Sequence, residues 1–509
     1  MVGRPRALIG VLIVGLAFIV GLIQIETTPP LWWDEGWTVL VARNWVEHGH
    51  YGYYLAGIPS PPELAGHLPV VAPIALSFKL FGIGIWQARV AILVLACIAL
   101  LLFYVLVEKL FSHSIAVATL IILLLLPPKW GLHPLFLGRQ ALGEMPSIFY
   151  LVAGYICFLT STRRPSLLIP AAIFFWGIAL MTKVQVVPFV AASMVMPMLL
   201  LAVMRQWRAV RLLAICLIGS YVAWALLRWA QHQWLTEYSM PMLQLTELVT
   251  IAGLVFDPSI RIHVLAFAIT FGLPALLGLS YGIWCFVEKL KKKTIFGQVE
   301  TTRLMLLSLA VSWFGWFVLF SVGWERYAFP GTFLAAPFVA QLLHDFTDGF
   351  RILPTVQYAI VSPLKRKLHW QSLRAVGVVC LVGMMCFLTA EALIHFHESV
   401  SDSSVKSVSQ FINTATRPGA LIESDDPEIF FLLDRPYHYA PPRIDVEYML
   451  RTWGHKDVQY SYDALAADPD YLVVGSYGAE SHLYDSYITN GAFKPLKTFG
   501  RYSVYERTR

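Results

Sequence analysis

Residues 27–54 read "TTPPLWWDEGWTVLVARNWVEHGHYGYY" and place two adjacent carboxylates, Asp34 and Glu35, just after the first long apolar run. Aromatic residues surround this pair, as they do in the interface belts of membrane proteins. The chain has 509 residues, of which 57% are hydrophobic and 14% charged, whereas soluble domains have about 25% charged residues. This composition predicts a polytopic membrane protein, and the net charge of +6 is not taken to indicate a nucleic-acid partner.

Apolar segments recur along most of the chain at lengths close to the roughly 20 residues that a membrane span requires. The eleven predicted spans lie near residues 7–25, 86–108, 113–130, 144–161, 166–182, 186–204, 209–229, 262–287, 304–322, 327–344 and 375–396. No small-residue cleavage site follows the first, which favours a retained span over a signal peptide. Every second loop is rich in Lys and Arg, which predicts a cytoplasmic N-terminus and an exported C-terminus.

The segment after about residue 398 changes to an ordinary soluble composition. Helix-like "SVKSVSQFINTAT" precedes strand-like "ALIES", "DYLVVGS" and "RYSVYER", a pattern typical of a small α/β module. We therefore predict an all-α membrane domain at residues 1–397, with a long outer loop at 26–85, and an extracytoplasmic α/β domain at 398–509.

Two further features of the sequence receive structural interpretations. The acidic cluster Glu423, Asp425, Asp426 and Glu428 is interpreted as a solvated turn that leads into a helix at "DPEIFFLL". The six cysteines all lie in apolar runs and predict neither a disulfide framework nor a metal cluster.

Charged and titratable residues gather on the predicted outer side, where the default interpretation of a charge near the membrane is functional. The candidates are Asp34, Glu35, Glu144, Arg139, Lys183, Arg326, Tyr327, His67 and His263. Carboxylates suit deprotonation of an attacking hydroxyl, and cations suit a departing phosphate. Taken singly, each has a structural alternative, because carboxylates cap helices and basic side chains snorkel to the interface. Snorkelling is the prediction for Arg89 in "WQARV".

The donor predicted for such a site is linked to a lipid. ATP is absent outside the membrane, and the sequence has neither a P-loop nor a Rossmann glycine fingerprint. Carboxylates in separate loops are compatible with a divalent cation but have no ligand spacing that predicts one, so we predict no metal and no other cofactor.

The ordered motifs "LWWDEGWTVLVARNWVEHGHY", "HLPVVAPIALSFKLFGIGIWQARV", "GRQALGEMPS", "ALMTK" and "ERYAFPGTFLAAP" resemble the GT-C glycosyltransferases. The resemblance is to protein O-mannosyltransferases and lipid A aminoarabinose transferases, and it covers about residues 7–345. It implies inverting transfer of a sugar from a polyprenyl-phosphate carrier to a lipid, glycan or protein acceptor at the outer face of a cell inner (plasma) membrane. Membrane lipids are the other implied partners.

The resemblance also distributes roles among the candidates. It makes Asp34 the general base or an acceptor-binding group and Glu144 the second catalytic carboxylate. Glu35, the third predicted catalytic residue, is expected to bind the acceptor or a cation, or only to hold Asp34 in position. The resemblance makes Lys183, Arg326, Tyr327 and, more loosely, His263 face the phosphate or the sugar, and Arg139 and His67 complete the predicted donor-binding set.

Departures from the family pattern leave both substrates open. Trp37 stands where aminoarabinose transferases have Arg, and His67-Leu68-Pro69 stands where they have Glu-Lys-Pro. Neither aminoarabinose nor lipid A is therefore predicted.

Three other classes of protein are weighed against this interpretation. A secondary transporter needs polar groups near the bilayer midplane, whereas these spans are apolar at their centres. A polymerase or ligase of lipid-linked glycans tends to have its large outer loop late in the chain. A non-catalytic membrane anchor leaves the outer charges unexplained.

Overall fold

The structure is a computed structural model that describes residues 4–62, 66–235, 255–292, 295–364, 370–398, 401–441 and 443–509. Residues 236–254, between the predicted spans at 209–229 and 262–287, lie outside this described part.

Helices build the membrane domain. They are α1 (Arg4–Leu22), α2 (Trp33–His48), α3 (Leu68–Phe81), α4 (Ile85–Leu110), α5 (His113–Leu125), α6 (Pro134–Gly138), α7 (Glu144–Thr160), α8 (Pro165–Thr182), α9 (Val186–Val203), α10 (Trp207–Leu235), α11 (Pro258–Thr270), α12 (Leu273–Lys291), α13 (Gln298–Phe320), α14 (Glu325–Phe346), α15 (Ile352–Leu364) and α16 (Trp370–Glu398). A 3₁₀ helix at Trp130–Leu132 precedes α6.

Among the described residues, seven helices are long and apolar enough to cross a membrane, namely α4, α8, α9, α10, α12, α13 and α16. Shorter apolar helices are α1, α3, α5, α7 and α11. Each of the eleven predicted spans overlaps a helix, and the chain is a multi-pass membrane protein. The single span predicted at 262–287 is wrong, because this segment forms α11 and α12. Pro274 in the first turn of α12 cannot continue a helix from the preceding residues.

The loop predicted to be the first outer loop is folded rather than extended. It contains α2, a hairpin of β1 (Tyr53–Leu55) and β2 (Ile58–Ser60), and α3. Helix α2 begins after Trp32, whose backbone N–H donates to Glu35, and it ends at Gly49 in the left-handed conformation (φ 69°). The carboxylates of the "WWDEGW" motif therefore lie in the first turn of a helix, where the helix dipole favours negative charge.

The C-terminal module contains a five-stranded sheet in the order β4-β3-β5-β7-β6. Its strands are β3 (Ile422–Glu423), β4 (Tyr437–His438), β5 (Tyr471–Val474), β6 (Phe493–Phe499) and β7 (Tyr502–Arg507), and its helices are α17 (Ser404–Ala415), α18 (Arg443–Thr452), α19 (Ser476–Ser481) and α20 (Asp485–Thr489). β3 pairs in parallel with β4 and β5, whereas β7 pairs antiparallel with β5 and β6. The predicted class, a helical membrane domain with a small α/β module, is confirmed.

The outer loop and the module share one apolar core, which includes Val39 of α2 and Val71 of α3 together with Ile422 and Phe430 of the module. Gly36 makes this contact close, because a Cβ atom there would lie 2.4 Å from the backbone nitrogen of Glu428. The module therefore rests directly on the helix that carries Asp34. The boundary at residue 398 stays a prediction.

The acidic cluster of the module is buried, so its interpretation as a solvated turn is wrong. Its four members, Glu423, Asp425, Asp426 and Glu428, have exposed fractions of 0, 6, 0 and 3%. Asp426 accepts hydrogen bonds from the backbone N–H groups of Gly475, Tyr477 and Gly478 at 2.7, 2.9 and 3.2 Å, and the residues after it form a 3₁₀ helix at Pro427–Leu432.

Tyrosines supply donors to the same cluster. Glu423 accepts from Tyr462 and from Tyr484, and Glu428 accepts from Tyr502 at 2.7 Å. Burial, together with the charge of Asp426, raises the pKa of Glu428 to about 8. The cluster is therefore a hydrogen-bonded part of the module interior.

Candidate active site

The first element of the candidate site is an ion pair between the start of α2 and the start of α14. The guanidinium of Arg326 binds the Asp34 carboxylate, whose side chain is 35% exposed. The rings of Trp324, Tyr327 and Trp32 lie 4.9, 5.5 and 5.9 Å from the guanidinium carbon. Burial by itself lowers the pKa of Arg326, but the nearby carboxylates outweigh burial and raise it. The Arg326 guanidinium therefore stays charged, and Asp34 is the more accessible member of the pair.

The second element is an ion pair between Glu144, the first residue of α7, and Lys183, which follows α8. A Cβ atom on Gly143 would lie 2.7 Å from the carbonyl oxygen of Thr182, so glycine lets these two helix ends approach. Glu144 is 1% exposed, and its Oε2 has no hydrogen-bond partner within the described part of the chain. Burial lowers the pKa of Lys183, and the Glu144 charge opposes this effect.

Tyr327 connects the two pairs. Its ring contacts the Arg326 guanidinium and lies 5.2 Å from the Lys183 ammonium. The charges of Asp34 and Arg326 act on Lys183, and the charge of Glu144 acts on Arg326. We name these five residues the charged cluster.

His67 lies beside the charged cluster. Its Nδ1 is 3.0 Å from the carbonyl oxygen of Met181; because a carbonyl only accepts, Nδ1 carries the hydrogen. Burial, with the positive charges of Lys183 and Arg228, lowers the pKa of His67 to about 4. At neutral pH His67 is therefore an uncharged hydrogen-bonding group. A neutral ring suits a hydroxyl group better than it suits a phosphate, which favours a cation.

Glu35, although it follows Asp34, lies elsewhere. It is 0% exposed, and Arg89 donates to its two oxygens at 2.8 Å each. The backbone N–H of Ala141 adds a bond of 3.0 Å. Both Glu35 oxygens are bound within the protein, an arrangement that suits the predicted alternative in which Glu35 only holds Asp34 in position.

Arg89 was predicted to snorkel, and this prediction is wrong because its side chain is 0% exposed. Besides Glu35, it donates to the carbonyl oxygens of Ile25 and Pro29 at 2.8 and 2.7 Å. The Glu35–Arg89 pair thus ties the turn before α2 to α4, and it fixes the direction in which Asp34 leaves the helix.

Two other predicted residues do not join the charged cluster. Arg139 donates to the carbonyl oxygens of Val20 and Thr28 at 2.7 and 3.3 Å, and its pKa is lowered by burial and by the Arg89 charge. His263 is exposed on α11, beside Gly323. Within the described part of the chain, neither bonds to Asp34, Glu144, Lys183 or Arg326. Of the nine predicted residues, the structure brings together Asp34, Glu144, Lys183, Arg326, Tyr327 and His67.

The sequence interpretation missed the contribution of the C-terminal module. Trp453, just after α18, makes an edge contact with Trp324 at 5.4 Å. Trp33 donates to the backbone carbonyl of Asp425 at 3.0 Å, and its ring lies 5.2 Å from that of Tyr477. The module therefore covers the residues on either side of the Asp34–Arg326 pair. The aromatic residues of "GWERY" indicate that Trp324 belongs to the site. No sequence pattern links Trp324 to Trp453, which is 129 residues away.

No group of three or more His, Cys, Asp or Glu side chains within the described ranges is arranged to hold a metal ion. In the charged cluster each carboxylate is paired with a cation instead.

Solved structures with the same fold exist. ArnT from Cupriavidus metallidurans bound to undecaprenyl phosphate is similar with a TM-score of 0.63 and 15% sequence identity, over 97% of each chain. The Archaeoglobus fulgidus oligosaccharyltransferase tethered with an acceptor peptide is similar with a TM-score of 0.55 and 12% identity, over 98% of this chain and 74% of that one. No protein-family model and no curated protein sequence matches the chain.

ArnT is a lipid A aminoarabinose transferase, and both neighbours are GT-C glycosyltransferases. The predicted GT-C type of fold is therefore confirmed.

Proposed function

We propose that this chain is an integral-membrane glycosyltransferase that moves a sugar from a polyprenyl-phosphate donor to a hydroxyl acceptor. The observation that carries the proposal is the charged cluster, in which two carboxylate–cation pairs meet around Tyr327 on a GT-C fold. The structural neighbour ArnT, which binds undecaprenyl phosphate, supports a donor of this kind.

Arg326 and Lys183 are the groups that hold the donor phosphate. Charge-assisted hydrogen bonds from such cations are among the strong polar contacts of proteins, and they stabilise the negative charge of a departing phosphate. Asp34 and Glu144 neutralise these cations in the structure. The incoming phosphate competes with both carboxylates for the same donors.

This competition couples donor binding to base activation. An Asp34 carboxylate released from Arg326 is a stronger base than one held in an ion pair, because the opposite charge stabilises its ionised form. Asp34 then takes the proton of the acceptor hydroxyl, and the acceptor oxygen forms a bond to the anomeric carbon. The bond between that carbon and the phosphate oxygen breaks, the polyprenyl phosphate leaves with the electron pair, and the configuration inverts.

Glu144 and His67 suit contacts with the sugar. Glu144 Oε2 is buried and has no partner among the described residues, so it can accept a hydrogen bond from a sugar hydroxyl. The neutral His67 ring can accept one at Nε2. The acceptor reaches Asp34 beneath the C-terminal module, next to Trp324 and Trp453; a lipid, a glycan and a protein are all candidate acceptors. The site faces the exterior of the plasma membrane, and the N-terminus is cytoplasmic.

The test uses the purified full-length protein in lipid nanodiscs with a panel of radiolabelled polyprenyl-phosphate sugars and cell-envelope extract. The wild type should transfer label from one donor, and Asp34→Asn should transfer about 10²- to 10⁴-fold more slowly. Glu47→Gln, a substitution of a surface carboxylate at the other end of α2, is the matched control and should keep wild-type activity. Transfer from no donor, or equal transfer by wild type and Asp34→Asn, contradicts the proposal.

A further inference from the structure

A second cationic site lies at the opposite end of the membrane domain from the charged cluster. A cavity of about 220 Å³ opens between the end of α12, the start of α13 and the neighbouring face of α14, and its lining includes Lys289, Lys292 and Arg303. Helix α13 has 23 residues and is therefore about 35 Å long. Its far end leads to Arg326, so the cavity and the candidate active site lie on opposite sides of the membrane.

Arg303 is held in place with donor capacity to spare. Its Nη2 donates to the carbonyl oxygen of Leu110, and the ring of Phe111 lies 4.4 Å from the guanidinium carbon. Its Nε is buried and has no hydrogen-bond partner within the described residues. Because Arg303 lines the cavity, an anion there can accept hydrogen bonds from its guanidinium.

The carboxylates near the cavity do not balance its cations. Glu288 is the one acidic residue among the described lining residues, and it pairs with Lys291 at 2.6 Å. Lys289 pairs with Glu300 at 3.9 Å, and Glu300 is not among the described lining residues. The lining therefore carries an excess of positive charge, which favours an anionic ligand.

The surroundings of the cavity favour a lipid over a soluble anion. The exposed face of α12 beside it is apolar and includes Leu277, Ile283, Trp284 and Val287, with exposed fractions of 41 to 55%. Trp284 also lines the cavity, and Trp is typical of the level at which lipid headgroups lie. Acyl chains can therefore pack against α12 while the headgroup reaches the cations.

We propose that this cavity binds the phosphate of an anionic phospholipid headgroup. Basic pockets between transmembrane helices are known to suit such headgroups. The general excess of Lys and Arg in loops on one side of a membrane accounts for exposed lysines, but it does not account for a half-buried guanidinium that lines a cavity and is held there by Leu110 and Phe111.

The test measures lipid binding to the full-length protein in detergent by native mass spectrometry. Dioleoyl phosphatidylglycerol is the anionic probe, dioleoyl phosphatidylcholine the zwitterionic one, and inorganic phosphate the soluble one. The wild type should prefer phosphatidylglycerol over phosphatidylcholine. Arg303→Gln should reduce this preference about fivefold, and the double variant Lys289→Gln, Lys292→Gln about twenty-fivefold, since each cation that contacts the headgroup in the cavity is expected to add a factor of about five.

The matched control is Arg208→Gln. Arg208 is exposed at the start of α10 on the same side of the membrane, outside the cavity, so the lipid preference should not change. Equal binding of the two lipids by the wild type, or an undiminished preference in the lysine double variant, overturns the proposal. Displacement of phosphatidylglycerol by millimolar inorganic phosphate assigns the cavity to a soluble anion and also overturns it. If Arg303→Gln does not fold, the lysine double variant decides the result.

Discussion

Removal of charge from Glu35 is expected to lower the stability of the protein, whereas removal of charge from its neighbour Asp34 is expected to lower its activity. Glu35→Gln leaves the Arg89 guanidinium fully buried without a counter-charge, and loss of one partner from a buried pair costs about 3–5 kcal/mol. This is a large part of the roughly 5–15 kcal/mol by which a typical domain is stable. Asp34→Asn breaks a pair whose carboxylate is 35% exposed, which costs about 1 kcal/mol or less.

The assay is equilibrium unfolding in detergent combined with the transfer assay. Glu35→Gln should lose about 3–5 kcal/mol of unfolding free energy, whereas Asp34→Asn should unfold like the wild type and lose transfer activity. In the double variant Glu35→Gln, Arg89→Met no buried charge is left unpaired, so its loss should be smaller than the sum of the two single losses. Unchanged stability of Glu35→Gln, or strictly additive losses, refutes a positioning role for this pair.

Three further predictions concern the donor site and the module. Lys183→Met should weaken undecaprenyl phosphate binding about 10- to 100-fold, because a hydrogen bond to a charged group contributes about 1.5–3 kcal/mol. Isothermal calorimetry in detergent measures this affinity, and an unchanged affinity excludes Lys183 from the phosphate site. Burial raises the pKa of Glu428 to about 8, above its unfolded value of 4.5. Between these two pH values the folded module therefore binds more protons than the unfolded chain does. The stability of the module should consequently fall as pH rises through this window. Glu428→Gln should flatten that dependence in denaturation measured from pH 4.5 to 8, and an identical slope in the variant contradicts the assignment. Gly36→Ala should destabilise docking of the module by about 1–3 kcal/mol, and limited proteolysis of the 399–509 segment measures this effect. The control Gly15→Ala, where an added Cβ meets nothing within 4 Å, should have no effect. Equal protection of both variants from proteolysis contradicts the close contact at Gly36.

The order of motifs was enough to predict that Asp34, Glu144, Lys183 and Arg326 meet, but not that Glu35, Arg139 and His263 lie apart from them. Asp34, Glu144, Lys183 and Arg326 lie at the ends of helices α2, α7, α8 and α14, and helix ends on one side of a membrane are forced to the same level. Their convergence follows from topology and apolar periodicity, both of which can be deduced from the sequence.

Burial of charge could not be predicted in the same way. Arg89 lies in an apolar helix, but its partner Glu35 is 54 residues away, and no local pattern connects the two. Glu423 and Glu428 accept hydrogen bonds from Tyr484 and Tyr502, 61 and 74 residues further along the chain. An acidic run looks solvated in sequence because its donors are distant. The broken span at 262–287 was missed because averaged hydropathy does not register Pro274.

The location of the donor phosphate tests the central claim most directly. Cryo-electron microscopy of the full-length protein with undecaprenyl phosphate should show the phosphate at hydrogen-bond distance, about 2.7–2.9 Å, from Lys183 Nζ and the Arg326 guanidinium, with the Asp34–Arg326 contact opened. A phosphate bound away from both cations, with the Asp34–Arg326 and Glu144–Lys183 pairs intact, contradicts the account.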